Sequence, residues 1–265
     1  MEVIDLLKRN NDNDTNVIYI NSESISAEKL YELCDRDIWL SSDHINAYLS
    51  YLNTKFHSIF SLPSFFYTKL TTTGRYDYSS VVRWTKKTEI FNKEIIFVPI
   101  NLDETHWILA TIFMKDEYRI AVLDSLGILT NDNAIAIGRH LIRWLNDEYC
   151  HKFRVYDNNE YENPDLNESI RKSTIFGDAE EISFTFDIMF REKPPQVDGC
   201  SCGVFVCMFA RLIAENVERD TIMEIAKWQE AILKFRKVMC TDLWEYAKAN
   251  GQVDKVKIVD NIFSP

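Results

Sequence analysis

The sequence predicts a globular domain in which a β-sheet is covered by helices. Three segments, 94–100, 107–113 and 119–124, are rich in apolar and β-branched residues on both alternating faces, as expected of central strands in a covered sheet. Segments before and after them repeat apolar residues at helical spacing. At 265 residues, with 46% hydrophobic residues, the chain has the length and composition of one compact domain with a substantial core.

The first part of the chain is predicted to contribute little to that core. Residues 1–26 are polar at their middle, and we interpret them as a short, loosely attached N-terminal extension with a strand at 17–20. Ser26 is well placed to cap a brief helix that ends near Cys34. The sequence therefore places the start of the domain proper at about residue 27.

A second, longer helix is predicted after Trp39, with Ser41 or Ser42 as its N-cap. Its apolar residues recur at helical spacing and are Ile45, Tyr48, Leu49 and Leu52. Residues 65–70 and 79–87 are interpreted as further helical or irregular segments before the sheet.

The second and third predicted strands are expected to form an antiparallel hairpin, because only five residues, 114–118, separate them. A tight turn centred on Lys115 would place His106 opposite Asp124 at the open end of this hairpin. Directly opposed residues share a face of the sheet and lie within side-chain reach. The sequence therefore predicts a contact between the histidine and the carboxylate.

Beyond the hairpin, apolar spacing predicts a surface helix at 134–149. The acidic, Asn-rich segment 157–181 is weakly periodic and is interpreted as a long loop or an insertion. A further strand is expected at 184–190. Residues 226–248 alternate apolar and charged residues helically and are expected to form one or two closing helices.

The segment 194–214 carries the first candidate for chemistry. A loop rich in Pro, Asp and Gly ends at Cys202, and about a dozen mostly apolar residues follow, which is typical of a buried helix. The unpaired N–H groups and the dipole of a helix N-terminus favour the nucleophilic thiolate over the thiol. Gln196 could supply an amide donor to a developing oxyanion. Taken alone, the segment is better explained by a buried structural cysteine than by a catalytic one.

The remaining parts of a thiol hydrolase are present in the same chain. Such an enzyme needs a nucleophile, a base, a group that orients the base and oxyanion donors. Among five histidines, only His106 abuts a strand end that faces a predicted carboxylate; the others are His44, His57, His140 and His151. Cys202, His106, Asp124 and Gln196 can together supply all four parts.

Composition and charge limit the kind of partner and the cell compartment that we expect. The net charge of −11 argues against general affinity for nucleic acid or anionic membranes and fits a partner with a basic face. The N-terminus lacks the apolar core of a signal peptide, and no run of 18 apolar residues occurs, so an intracellular protein is expected. The six cysteines are then interpreted as reduced thiols.

These motifs resemble the Ulp/SENP family of ubiquitin-like-protein-specific cysteine proteases. The resemblance covers about residues 38–214 and rests on three motifs in order: His106-Trp107, Asp124-Ser125, and Gln196 followed by Cys202-Gly203. It implies an α+β, papain-like fold with a central mixed sheet flanked by helices, spanning residues 27–265. It also implies a monomer in the nucleus or the cytoplasm.

The resemblance assigns a role to each of these residues. His106 is the general base, Asp124 orients it, Cys202 is the nucleophile, and Gln196 is the side chain of the oxyanion hole. Trp39 and Trp107 fall where the family lines a narrow tunnel for a Gly-Gly tail, and Gly203 is expected to join them in binding substrate. Flat indoles that leave room only for residues without side chains would select glycine.

The function implied is cleavage after the C-terminal Gly-Gly of a ubiquitin-like modifier, with SUMO and its conjugates as partners and with no metal or cofactor. Ubiquitin and the neddylation modifier remain open, because Ser41 and Ser42 stand where family members commonly have Asn-Asp and grip the modifier with the acid. Two alternatives of another class are a modifier-binding protein without catalysis and a zinc site, the latter formed by Cys200, Cys202 and Cys207 with a histidine.

Overall fold

The computed structural model describes residues 17–115, 118–153, 185–190 and 193–252. Within them the chain is an α+β fold, as predicted. Its strands are β1 (Val17–Ile20), β2 (Glu23–Ser26), β3 (Ile59–Ser61), β4 (Ile95–Leu102), β5 (His106–Phe113), β6 (Arg119–Leu123) and β7 (Thr185–Met189). Its helices are α1 (Ala27–Glu32), α2 (Ser42–Lys55), α3 (Phe66–Leu70), α4 (Asn131–Phe153), α5 (Cys202–Ala214), α6 (Arg219–Ala226) and α7 (Gln229–Ala249). The predicted insertion at 157–181 lies outside the described residues.

The central sheet is mixed and has the strand order β3-β4-β5-β6-β7. The two outer pairings are parallel, and β4, β5 and β6 pair antiparallel in the middle. Both faces are buried, because successive residues of β5 alternate between two apolar clusters. Trp107 and Leu109 face helices α2, α5 and α7, whereas Ile108 and Ala110 face α3 and α4.

The predicted hairpin of β5 and β6 is present, but its register differs from the prediction by two residues. Leu109 lies opposite Leu123 and Phe113 opposite Arg119, so position 108 rather than His106 would face Asp124 if the pairing continued. A shift of two residues keeps the same face of a strand towards its neighbour. His106 is therefore diagonal to Asp124 and still within side-chain reach.

The segment 17–26 is not loosely attached, which corrects one expectation from the sequence. Its two strands pair with each other, and Ile18, Ile20 and Ile25 are each at most 2% exposed in the cluster that contains α2 and α5. The cap prediction for the next helix is confirmed, since the Ser26 side chain accepts a hydrogen bond from the Lys29 N–H at 3.3 Å. The buried isoleucines make this hairpin part of the domain core.

The predicted helices and the last predicted strand are present, but their first and last residues differ from the prediction. The surface helix α4 runs from Asn131 to Phe153 and is longer than predicted, and the tail forms two helices, α6 and α7. Strand β7 begins at Thr185, within one residue of the prediction. In the part of the chain that the structure describes, none of the helices is both long and apolar enough to span a bilayer.

Candidate active site

The histidine and the carboxylate are positioned by neighbouring strands. His106 is the first residue of β5, and Asp124 directly follows the last residue of β6. Their side chains are 2% and 1% exposed, and His106 Nε2 lies 2.7 Å from Asp124 Oδ1. The contact predicted from the sequence is therefore present. A carboxylate oxygen can only accept, so the Nε2 atom carries the hydrogen of this bond.

Backbone donors hold the Asp124 carboxylate in its charged form. Oδ1 also accepts from the Leu126 N–H at 3.0 Å, and Oδ2 accepts from the Leu129 N–H at 2.8 Å. Burial acts to raise the pKa of Asp124, but the hydrogen bonds from His106 and from these N–H groups outweigh it and lower the pKa below its usual value. The carboxylate is thus a fixed negative charge behind the imidazole.

The cysteine lies at the start of the most apolar helix that the structure describes. Ser201 is the N-cap and Cys202 the first residue of α5, whose residues from 202 to 210 are all buried. The Cys202 side chain is 3% exposed. This is the predicted junction of loop and helix N-terminus, where unpaired backbone N–H groups favour a negative sulfur and can also meet a developing oxyanion.

The imidazole of His106 is tuned by both partners. Burial acts to lower the pKa of His106, but Asp124 and the Cys202 sulfur together raise it to about 9. Nε2 is occupied by Asp124, and Nδ1 has no hydrogen-bond partner among the described residues. Nδ1 is therefore the ring nitrogen left for the Cys202 sulfur, and the raised pKa favours the protonated imidazole at neutral pH.

The amide of Gln196 is held from two sides. Its Oε1 accepts from the Ser125 hydroxyl at 2.7 Å, and its Nε2 donates to the Asp198 carbonyl at 2.8 Å. The backbone N–H of Gln196 also donates to the Ser125 carbonyl at 3.0 Å. The side chain is 6% exposed. Gln196 is thus tied to the residue that follows Asp124, which brings the predicted oxyanion donor to the same end of β6.

Asp198 organises the loop before Cys202. Its carboxylate accepts from the N–H groups of Cys200 and Ser201 at 2.9 and 2.8 Å, from the Ser201 hydroxyl at 2.8 Å, and from Gln229 Nε2 at 2.7 Å. Burial acts to raise the pKa of Asp198, but these bonds lower it. Asp198 was not among the predicted site residues, although the Asp198-Gly199 pair is a turn signal that could have pointed to it.

The two predicted tunnel residues differ in exposure. The Trp39 side chain is 52% exposed, whereas Trp107 is 6% exposed and its indole N–H donates to the Leu40 carbonyl at 2.9 Å. Leu40 in turn packs on α5, because a Cβ placed on Gly203 would lie 2.8 Å from the Leu40 Cβ. The segment that carries Trp39 is therefore fastened both to β5 and to the nucleophile helix. Gly203 has this packing role, and its contact with substrate stays a prediction.

Ser41, the first of the two serines that stand where the family commonly has Asn-Asp, is occupied within the protein. Ser41 caps α2; its N–H donates to His44 Nδ1 at 3.0 Å, and Lys29 Nζ donates to its hydroxyl at 3.1 Å. Asp43, the next acid along the chain, lies 3.4 Å from Lys29 Nζ and is 56% exposed. The nearest acidic side chain in sequence is thus already paired with a lysine.

The cysteines of the zinc alternative lie in different settings. Cys207 is fully buried inside α5, whereas Cys200 is partly exposed and its thiol contacts the Arg36 carbonyl at 3.4 Å. Among the described residues, no group of three His, Cys, Asp or Glu side chains is arranged to hold a metal ion. Of these three cysteines, Cys202 is the one whose sulfur interacts with the His106 imidazole.

A cysteine at a helix N-terminus, together with a histidine and a carboxylate on adjacent strands, is the arrangement of a cysteine peptidase of the papain-like class. The chain belongs to the Ulp1 protease family, and its residues 38–250 match the C-terminal catalytic domain of that family. This match extends the resemblance beyond residue 214, where the sequence motifs end.

Individual relatives agree with this membership. The chain is 31% identical to ubiquitin-like-specific protease 1 of Saccharomyces cerevisiae over 172 residues, which are 64% of this chain and 22% of the relative. It is 30% identical to human sentrin-specific protease 2 over 213 residues, 78% of this chain and 29% of the relative. The chain thus spans less than a third of the length of these relatives.

Solved structures show the same fold. The structure of the SUMO protease Ulp1 with its catalytic cysteine oxidised to a sulfenic acid superposes with a TM-score of 0.64 at 23% identity, covering 92% of this chain and 93% of that one. The C-terminal protease domain of Ulp1 in complex with Smt3, the yeast orthologue of SUMO, gives a TM-score of 0.60 at 23% identity, covering 91% and 94%. The papain-like fold predicted from the sequence is confirmed.

Proposed function

We propose that this domain is a cysteine isopeptidase that cleaves after the C-terminal Gly-Gly of a ubiquitin-like modifier, and that the modifier is SUMO. The observation that carries the proposal is the buried His106–Asp124 pair, which acts with Cys202 at the N-terminus of α5. A thiol nucleophile requires these parts to accept an acyl group and pass it on to water. Membership of the Ulp1 protease family supports the same chemistry.

In the first half of the reaction, the Cys202 thiolate attacks the carbonyl carbon of the modifier's terminal glycine. The negative oxygen that develops accepts hydrogen bonds from the Gln196 amide and from the backbone N–H of Cys202. Protonated His106 then gives its Nδ1 proton to the leaving lysine amine, because its raised pKa keeps that proton available at neutral pH. The bond to lysine breaks and a thioester with Cys202 remains.

In the second half, a water molecule attacks the thioester. His106, now neutral, takes a proton from this water through Nδ1, while Asp124 keeps the ring in place through Nε2. The same oxyanion donors serve the second tetrahedral intermediate. Cleavage of the carbon–sulfur bond releases the free modifier and restores the thiolate beside the imidazolium.

Selection of the glycine tail is assigned to the two tryptophans. Trp39 presents about half of its surface to solvent, and Trp107 is held by its bond to the Leu40 carbonyl, next to Trp39 in the chain. We propose that the tail passes between the two indoles towards Cys202, where residues larger than glycine would clash. Because Trp39 is the more exposed of the two indoles, it would bury more apolar surface on contact with the tail than Trp107 would.

The choice of SUMO is supported by the relatives. They include a human sentrin-specific protease and the SUMO protease Ulp1, and one of the structurally similar domains is bound to the yeast orthologue of SUMO. The net charge of −11 fits a modifier that presents a basic face. We place the activity in the nucleus or the cytoplasm, on SUMO conjugates or precursors.

Labelling with modifier probes that end in a C-terminal electrophile tests the proposal. Probes built on SUMO, ubiquitin and the neddylation modifier are incubated with the chain and with its Cys202→Ala and Cys200→Ala variants. We expect a SUMO adduct with the chain and with Cys200→Ala, and none with Cys202→Ala. Absence of labelling by all three probes in folded protein would favour a modifier-binding protein without catalysis.

One observation favours ubiquitin or the neddylation modifier as a second candidate. Ser42 stands where the family commonly has the acid that grips the modifier, and the neighbouring Asp43 is paired with Lys29. We therefore predict that Ser42→Asp raises kcat/KM for a SUMO substrate, and that the helix tolerates the change because an acid is favourable in the first turn. If Ser42→Asp instead lowers SUMO cleavage and the native chain prefers another modifier, the SUMO assignment is wrong.

A further inference from the structure

The side-chain amide of Gln196 has two ends that differ only in which hydrogen bonds they can make. Its Nε2 end lies 2.8 Å from the Asp198 carbonyl, which can only accept, so this end must be the NH₂ group. The Oε1 end therefore faces the Ser125 hydroxyl at 2.7 Å, and the hydroxyl must donate. The orientation of the amide is fixed by these two partners together.

This orientation leaves one N–H of the amide for the reaction. The first N–H is used by the Asp198 carbonyl, and the other contact of Nε2, with Asp198 Oδ1 at 3.5 Å, is at the outer limit of hydrogen bonding. If the amide rotated by half a turn, its oxygen would face the Asp198 carbonyl and repel it. The reaction centre would then meet an acceptor instead of a donor.

Ser125 is built into the site more firmly than a surface hydroxyl. It is 2% exposed, and its carbonyl accepts the backbone N–H of Gln196 at 3.0 Å, so Gln196 is held at both backbone and side chain. Ser125 also follows Asp124 directly, and Asp124 holds His106. One short segment after β6 thus fixes both the base and the oxyanion donor.

We propose that Ser125 is a positioning residue for the oxyanion hole: its hydroxyl holds the Gln196 amide with an N–H towards the developing oxyanion. The inference rests on the proposed function only in that Gln196 serves acyl transfer at Cys202. Loss of the hydroxyl removes one of the two partners that hold the amide and so loosens its orientation, and the effect must appear in reactions that form an oxyanion. Reactions of the same thiolate that form none are unaffected.

Two small reagents separate these cases without any modifier. Acetyl transfer from p-nitrophenyl acetate to the Cys202 sulfur passes through a tetrahedral oxyanion and releases p-nitrophenolate. Alkylation by iodoacetamide displaces iodide directly and forms no oxyanion. The ratio of the two rates, corrected with Cys202→Ala for reaction elsewhere, reports on the oxyanion hole alone.

We expect Ser125→Ala to lower this ratio ~10-fold and Gln196→Ala to lower it ~100-fold, the usual range for one oxyanion donor. The double variant should match Gln196→Ala, because Ser125 acts only through that amide. Ser125→Thr keeps the hydroxyl and should retain most of the ratio, which also serves if Ser125→Ala folds poorly. Ser64→Ala is the matched control: Ser64 is 3% exposed, and its hydroxyl has no partner among the described residues.

Three outcomes would overturn the inference. One is an unchanged ratio in Ser125→Ala; another is a further loss in the double variant beyond Gln196→Ala; the third is a parallel fall of acylation and alkylation, which would indicate a general structural role. Failure of the chain to cleave any modifier, with the ratio still dependent on Ser125, would reject the proposed function and leave the inference standing.

Discussion

At the scale of single residues, the buried polar groups of the site are oriented by partners that have only one hydrogen-bonding role. Asp124 can only accept, which assigns the hydrogen of His106 Nε2 and leaves Nδ1 for the reaction. The Asp198 carbonyl likewise assigns the two ends of the Gln196 amide. The protonation and orientation that the proposed mechanism needs are thus set by contacts within the protein.

The raised pKa of His106 predicts how activity depends on pH. The imidazolium must protonate the leaving amine, so kcat/KM on an isopeptide-linked substrate should hold up to about pH 9 and fall above it. The same shift stabilises the fold: the contribution is complete below the ordinary pKa of 6.5 and is lost as the pH rises through about 9. A pH profile of cleavage and unfolding midpoints at pH 6 and pH 10 would measure both.

The Asp124→Asn variant is the control for this pH dependence. Without the carboxylate, burial lowers the pKa of His106 against a weaker opposing effect. The fall of kcat/KM at alkaline pH should therefore begin at a lower pH. If kcat/KM of Asp124→Asn falls at the same pH as that of the unmodified chain, a group other than His106 controls the pH dependence.

The unequal exposure of the two tryptophans predicts unequal effects on stability. Trp39→Ala should reduce cleavage more than tenfold while changing the free energy of unfolding by about 0.5 kcal/mol or less, as for most exposed positions. Trp107→Ala removes a buried indole and its bond to Leu40 and should cost roughly 3–5 kcal/mol. Urea unfolding and cleavage rates on both variants would measure this; full activity in Trp39→Ala would contradict the proposed tunnel.

At the scale of elements, the site depends on how closely the segment before α2 approaches α5. The Leu40 Cβ would lie 2.8 Å from a Cβ at Gly203, closer than such atoms come in proteins. Glycine is therefore required at the second position of the nucleophile helix for a packing reason. This contact links the Trp39 segment to the residue next to Cys202.

Gly203→Ala should accordingly push Leu40 and Trp39 away from α5. We expect a loss of about 1–3 kcal/mol in the free energy of unfolding, typical of overpacking, together with slower cleavage. Gly199→Ala is the matched control, because a Cβ there would meet no atom within 4 Å. Chemical denaturation of the two variants measures the difference, and equal stabilities would refute the close-packing argument.

At the scale of the whole molecule, segments distant in sequence hold the domain together. The Tyr19 N–H donates to Gln252 Oε1 at 2.8 Å, and Gln252 Nε2 donates to the Tyr19 carbonyl at 2.9 Å. From α7, the buried Arg236 donates to the Ile38 carbonyl at 2.7 Å, directly before Trp39. The closing helix thus supports the segment that borders the site, and the N-terminal hairpin is bonded to the residue Gln252 just beyond that helix.

A chain that begins at residue 27 should therefore be less stable than one that begins at residue 17. The shorter chain lacks Ile18, Ile20 and Ile25, each of which contributes about 1.5–3 kcal/mol when buried. It also lacks the bonds to Gln252. Thermal unfolding of the two chains compares them, and equal midpoints would support the domain boundary at residue 27 that the sequence predicts.

Patterns along the sequence were sufficient to predict the local elements. Periodicity placed the helices and the central strands, Ser26 was recognised as a cap, and the loop before an apolar segment correctly placed Cys202 at a helix N-terminus. The contact of His106 with Asp124 followed from a hairpin whose assumed register was wrong by two residues. The error was harmless, because the two faces of a strand alternate with a period of two.

Which distant residues meet could not be predicted from the sequence. The burial of the 17–26 hairpin, the bond from Gln229 to Asp198 and the bond between Ser125 and Gln196 join positions from different parts of the chain. Patterns along a sequence report local backbone preference and the face on which a side chain lies. Contacts across the fold depend instead on sheet order and helix packing, and for this reason the groups that support the site were found only in three dimensions.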